Sequence, residues 1–96
     1  MKPPEYIDSA KVIKWAWSGL QPFGIVSSED GSAYVEIYGL AICRYEGSKA
    51  VYRFSCNKNW ETVQDGVYED MEGAAKFLPE QYKRVEANWH SWKSSE

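Results

Sequence analysis

Two apolar runs joined by a short polar turn decide the fold of this chain: Gly39-Leu40-Ala41-Ile42-Cys43-Arg44-Tyr45 and Ala50-Val51-Tyr52-Arg53-Phe54-Ser55-Cys56. The turn between them, Glu46-Gly47-Ser48-Lys49, contains the glycine and serine that hairpins favour. This turn places Cys43 opposite Tyr52. The two runs are therefore predicted to be neighbouring antiparallel strands.

Alternate residues of these strands define two faces, because successive side chains of a strand point to opposite sides. The first face is almost wholly apolar and carries Ala41, Cys43, Tyr45, Ala50, Tyr52, Phe54 and Cys56. The second is mixed and carries Leu40, Ile42, Arg44, Val51, Arg53 and Ser55. We expect the helical part of the chain to pack on the first face.

Further strands follow from local patterns on both sides of this hairpin. Residues 11–18 alternate with period two, which favours a strand, although a helix capped by Asp8 or Ser9 and stopped by Gly19 also fits. Shorter strands are predicted at residues 24–27, 33–38 and 60–64, with Asp30-Gly31 in a tight turn between the first two.

The pattern changes to helical spacing after Gly66. Asp70 is a suitable N-cap, and apolar residues follow it at Met71, Ala74, Ala75, Leu78, Tyr82, Val85, Trp89 and Trp92. Pro79 interrupts this series, so we expect two helices or one helix kinked at Leu78-Pro79. The predicted fold is a single α+β domain over residues 1–96. It comprises an antiparallel meander of about five to six strands with one or two C-terminal helices packed on one face.

The sequence also resembles a group of small bacterial proteins that combine a meandering β-sheet with a C-terminal helical part. The resemblance is carried by residues 39–45 and 51–56, by Asn59-Trp60-Glu61 and Gln64-Asp65, and by Leu78-Pro79-Glu80-Gln81-Tyr82 with Trp89. It implies a fold but no activity, catalytic residue or cofactor. Some small proteins of this kind are mobile-gene cargo or toxin-immunity partners, so the resemblance implies a binding role.

Composition excludes several function classes. Lys and Arg number 11 against 14 Asp and Glu, which argues against nucleic-acid binding through phosphate neutralisation. No apolar run approaches the length of a membrane span, and no signal peptide is recognisable, so a cytoplasmic location is predicted. The aromatic content of 16% is high, which indicates that large rings supply much of the buried area.

Catalytic and metal sites are not indicated by any residue pattern. His90 is the single histidine and is expected to be a solvated helix residue. Cys43 and Cys56 are expected to be reduced and buried, because the hairpin register separates them by more than a disulfide tolerates. We therefore predict no cofactor, no metal and no enzymatic activity.

Four residues are candidates for binding. Arg44 and Arg53 lie on neighbouring strands and on the mixed face, where they could clamp an anion or anchor an interface. The alternative is that each pairs with a carboxylate such as Glu36 or Glu61. Trp15 and Trp17 share one strand face and belong to the residue types that dominate protein interfaces.

The leading hypothesis is a non-enzymatic module that docks to a protein partner or to a second copy of itself. A second hypothesis is a small protein or minor enzyme that grips an anionic ligand with Arg44 and Arg53. A third is an immunity-type inhibitor that binds a basic toxin through residues 61–72, which hold five carboxylates and no Lys or Arg.

Overall fold

The strands and helices are those of a computed structural model that describes residues 1–28 and 30–93. Eight strands lie within these residues: β1 (Tyr6–Ile7), β2 (Ala10–Trp17), β3 (Gly24–Ser27), β4 (Tyr34–Ile37), β5 (Gly39–Arg44), β6 (Val51–Cys56), β7 (Thr62–Tyr68) and β8 (His90–Ser91). The single α-helix among them, α1, spans Met71–Lys76, and a 3₁₀ turn spans Glu80–Tyr82. The predicted tight turn after β3 contains Glu29, which is outside the described residues.

Six of these strands form one antiparallel sheet in the order β1-β2-β5-β6-β7, with β8 also paired to β2. Cys43 lies opposite Tyr52, so the predicted register of the central hairpin is confirmed. The sheet is not the simple meander that was predicted. Because β2 pairs directly with β5, the intervening strands β3 and β4 leave the sheet and form a separate two-stranded one.

The segment that could be either strand or helix is strand β2. It follows a tight turn in which Asp8 and Ser9 both have positive φ, 50° and 69°, as the two-residue turns of hairpins require. A β-bulge between Val12 and Lys14 shifts the register against β5, and bulges of this kind increase the local bend of a strand.

One face of the sheet, which we call the inner face, is covered by the sheet's own curl. Its buried cluster joins residues of the first two strands to residues of the central hairpin and the following loop: Ile7, Ala10, Val12, Ala41, Cys43, Phe54, Cys56 and Trp60. Trp60 has a positive φ of 60°, which is rare for a bulky residue. Its ring lies against the backbone of Gly39.

The opposite, or outer, face is covered by three separate segments. The β3–β4 hairpin and the 3₁₀ turn contribute Phe23, Val26, Ile37 and Tyr82, which pack with Ala16 and Leu40 of the sheet. Helix α1 contributes Ala74, which packs with Ile42 and Val51. The prediction that the helix would cover the face of Ala41 and Cys43 is therefore wrong. That face is already occupied by rings from the sheet itself, which leave no room for a helix.

The N-cap of α1 is confirmed, because the Asp70 carboxylate accepts a hydrogen bond of 2.8 Å from the Gly73 N–H. The prediction of helix from Pro79 to residue 92 is wrong, since the only helical structure there is the three-residue 3₁₀ turn. Val85, Ala87 and Trp89 are half-buried and alternate with exposed residues. The sequence therefore has period two there, and the chain reaches strand β8 instead of continuing as a helix.

Gly39 provides a test of the inner face. A Cβ added at this position would lie 2.5 Å from Cζ3 of Trp60, far closer than van der Waals contact. We expect Gly39→Ala to lower the free energy of unfolding by about 1–3 kcal/mol, as overpacking does in other cores. Urea denaturation would measure it. The substitution should cost less when Trp60→Leu is already present, and equal costs in the two backgrounds would contradict the close contact.

Candidate functional site

Trp15 and Trp17 lie side by side on the inner face and pack against a third tryptophan. Their ring centroids are 6.3 Å and 5.6 Å from that of Trp60, and Trp17 also contacts Tyr38. Both indoles are half-buried. No tryptophan is among the large apolar side chains left most exposed, which are Met1, Tyr6, Leu20, Ile25, Tyr34, Val67 and Phe77. Trp15, Trp17 and Trp60 thus contribute mainly to packing within the fold.

Arg53 is 7% exposed and stabilises the end of helix α1. Its Nη1 donates hydrogen bonds of 2.7 Å to the Ala74 carbonyl and 3.0 Å to the Phe77 carbonyl. These are carbonyls that the helix itself cannot satisfy, and they lie at the negative end of its dipole. The guanidinium carbon also lies 4.7 Å from the centroid of the Tyr68 ring. Burial lowers the pKa of the Arg53 side chain from its usual value.

Arg44 is exposed at the end of β5, opposite Lys11 of β2. The two arginines line different grooves, so the structure does not bring them together as a clamp. Within residues 1–28 and 30–93 the ion pairs are Lys11–Glu5, Lys76–Glu72 and Lys83–Glu80, and neither arginine takes part in one. The expected pairing with Glu36 or Glu61 is therefore also absent from that part of the chain.

The two thiols are free and buried, as expected. Burial is the main cause that raises the pKa of Cys43 and of Cys56 to about 12 in each case. A protonated thiol is a poor nucleophile, so neither sulfur is activated for covalent chemistry. Within the described part of the chain, no group of three or more His, Cys, Asp or Glu side chains is close enough to hold a metal ion.

Most carboxylates of residues 61–72 have local partners. Asp70 caps α1, Glu72 lies 3.2 Å from the Lys76 ammonium, and Glu61 accepts a 2.8 Å hydrogen bond from Asn57. The side chains of Asp65 and Glu69 make no hydrogen bond or ion pair within the described residues. These two are therefore the members of the acidic stretch that remain available to a partner.

Strand β7 carries Asp65 and forms one edge of the six-stranded sheet. Its backbone pairs with β6 on one side only, and in the described residues no other backbone hydrogen bond involves residues 62–68. A row of unpaired N–H and C=O groups is a template for an additional strand. We call this row the free edge of β7.

A groove lies at each end of the free edge of β7. The first, of about 660 Å³, is formed by residues of β7, the end of β3 and the first turn: Asp8, Ser27, Ser28, Thr62, Val63, Gln64 and Asp65. The second, of about 460 Å³, includes Arg53, Tyr68, Phe77 and Leu78. Val67 and Phe77 are exposed by 59% and 70% beside this edge. Neither was predicted from the sequence to be a binding residue, because alternation alone does not show that β7 lacks a neighbouring strand.

Comparisons with protein-family models, with curated proteins and with solved structures found no match for this chain. The interpretation of the site therefore comes from its own geometry. Among the described residues, no helix combines the length and the apolar composition that crossing a membrane demands.

The role of Arg53 can be tested against that of Arg44. Arg53→Met would leave the Ala74 and Phe77 carbonyls without their charged donor, and we expect a loss of about 2 kcal/mol in the free energy of unfolding. Arg44→Met removes an exposed charge that faces Lys11, so its effect should stay within about 0.5 kcal/mol. Urea denaturation of both variants would measure the difference. Equal losses would show that Arg53 has no special structural role.

The buried thiols predict a dependence of stability on alkaline pH. An ordinary thiol ionises near pH 9.0, whereas both thiols of the folded chain stay protonated to about pH 12. The unfolded state therefore releases protons first, so this contribution is complete below pH 9.0 and declines as the pH rises towards about 12. Denaturation at a series of pH values would measure the decline. The double variant Cys43→Ala/Cys56→Ala should lose stability less steeply, and an identical slope would refute the assignment.

Proposed function

We propose that this chain is a non-enzymatic, cytoplasmic binding module that docks a protein partner by adding a basic, extended segment to the free edge of β7. The observation that carries the proposal is the free edge of β7, whose backbone pairs with β6 on one side and with no other strand of the described residues on the other. Strand addition supplies affinity through backbone hydrogen bonds, while flanking pockets select the side chains.

The charge of this edge selects a basic partner. Asp8 and Asp65 line the larger groove, Glu69 follows the strand directly, and residues 59–75 contain no Lys or Arg. Antiparallel pairing of two copies along β7 would bring these carboxylates together, and like charges in close register are destabilising. The proposal therefore favours a different protein over a second copy of this chain.

Two exposed apolar side chains beside the edge provide anchor points. Val67 lies on β7 opposite Tyr52, and Phe77 lines the groove beside Gly66 and Tyr68. Asp65, Val67 and Glu69 share one face of the edge because they are two residues apart, whereas Phe77 lies on the other face. A partner strand whose basic residues alternate with apolar ones would meet the carboxylates on the first face and place its apolar residues on the side of Phe77. An inhibitor of a basic toxin is one protein of this class.

A pair of synthetic peptides tests the proposal directly. The first alternates Lys with Val, and the second has Glu in place of every Lys. We expect the Lys peptide to bind and to protect from hydrogen exchange those amides of residues 62–68 that point away from β6, while the Glu peptide binds at least about tenfold more weakly. The affinity of the Lys peptide should fall as the salt concentration rises from about 0.1 M to about 1 M, because exposed charges are screened.

Charge reversal at the edge provides the matched control. Asp65→Lys combined with Glu69→Lys should weaken binding of the Lys peptide by about tenfold or more, whereas Glu36→Lys, at an exposed position of β4, should leave binding unchanged. Protection of amides elsewhere than in β7, or equal losses from both variants, would count against docking at this edge.

A further inference from the structure

The opposite edge of the sheet holds a third groove, with different chemistry from the two beside β7. Strand β8 places His90 opposite Trp15 and Ser91 opposite Lys14, so the end of the described chain lies beside β2. Lys2 reaches the same place from the N-terminus, since its ammonium donates to the Lys93 carbonyl and lies 4.3 Å from the centroid of the Trp92 ring. The resulting groove has a volume of about 370 Å³ and is lined by Lys2, Trp15, Trp89, His90, Ser91 and Lys93.

The lining of this groove combines positive charge with aromatic surface. Among residues 1–28 and 30–93, the lining includes two ammonium groups and no carboxylate. Trp15 and Trp89 are both half-buried, so part of each indole remains open to solvent. Cationic and aromatic side chains placed together favour a ligand that has a negative charge at one end and a flat ring at the other.

Trp15 adds two observations of its own. Its ring lies against the imidazole of His90, with centroids 4.7 Å apart and planes inclined by 34°. Its Nε1 is buried and has no hydrogen-bond acceptor within the described residues. A buried N–H without an acceptor is costly, and the Trp15 side chain that bears it also lines the groove.

We propose that this groove binds a small planar anion, namely an aromatic ring that carries a carboxylate or a phosphate group. The ammonium groups of Lys2 and Lys93 hold the anionic group, and the indole of Trp15 contacts the ring. The site differs from the anion clamp expected at Arg44 and Arg53, because its positive charges come from the two ends of the chain. It is also independent of docking at β7, since the two sites lie at opposite edges of the sheet.

Benzoate, phenyl phosphate and benzamide are the probes. The first two carry the two forms of the anionic group, and benzamide keeps the ring of benzoate without its charge. We expect benzoate or phenyl phosphate to shift the indole N–H resonance of Trp15 in NMR titrations, with benzamide at least about tenfold weaker. The stronger of the two anions identifies whether the groove prefers carboxylate or phosphate.

Charge-removing variants locate the site. Lys93→Gln and Lys2→Gln should each lower the affinity for the anion by several-fold or more. Lys2→Arg and Lys93→Arg keep the positive charge and should therefore retain most of the affinity. Lys49→Gln, at an exposed turn position far along the chain, should have no effect. Lys2 also contacts Trp92, so each glutamine variant is also titrated with benzamide. A purely structural loss would weaken binding of benzamide and of the anions alike, whereas loss of the charge contact would weaken binding of the anions alone.

Three results would overturn the proposal. The first is that neither anion shifts the Trp15 resonance at millimolar concentration. The second is that benzamide binds as tightly as benzoate, which would show that charge plays no part. The third is that Lys49→Gln weakens binding as much as Lys93→Gln does, which would show only general attraction of anions to lysine.

Discussion

The structure depends on one constraint, which is that both faces of the central strands β5 and β6 are buried. Five of the six residues of β5 are buried, and so are five of the six residues of β6. A two-sided strand pair needs a cover on each side. The sheet covers its inner face by curling and by packing rings such as Trp60 over Gly39, while the outer face takes the β3–β4 hairpin, α1 and the 3₁₀ turn.

This constraint explains why a charged residue sits in the outer core. Helix α1 has only six residues, so its C-terminal carbonyls form a large part of its polar surface and have no partners within the helix. Arg53 satisfies two of them from the strand below, which lets a short helix pack tightly on the sheet. Because the guanidinium of Arg53 is buried and already donates to two carbonyls, its role is structural, and it is less available to a ligand than the exposed Arg44 is.

The strands and the start of α1 could be predicted because their signals are local. Alternation marks residues 11–18, turn residues mark the hairpins, and Asp70 caps the helix. Residues 79–92 were misassigned because Tyr82, Val85, Trp89 and Trp92 have helical spacing, while Val85, Ala87 and Trp89 have the spacing of an extended chain. The choice between them is made by the unpaired edge of β2, which is a tertiary feature. For the same reason Lys2 and Lys93 could not be placed together from the sequence, since it is the pairing of β8 with β2 that brings Lys93 near Trp15, where Lys2 contacts the Lys93 carbonyl.

The two edges of the sheet differ in whether their outer backbone groups are paired, and the proposed function rests on this difference. At one edge, β1 and β8 pair with successive parts of β2 and cover most of its backbone. At the other, no strand within residues 1–28 and 30–93 pairs with the outer side of β7, although exposed edges invite aggregation. Asp65 and Glu69 limit this risk of aggregation, because their negative charge opposes pairing between identical copies. The backbone of the edge stays open to a segment of opposite charge. An edge protected in this way is suited to one kind of partner, whereas an edge protected by a bulge or a proline would be closed to all of them.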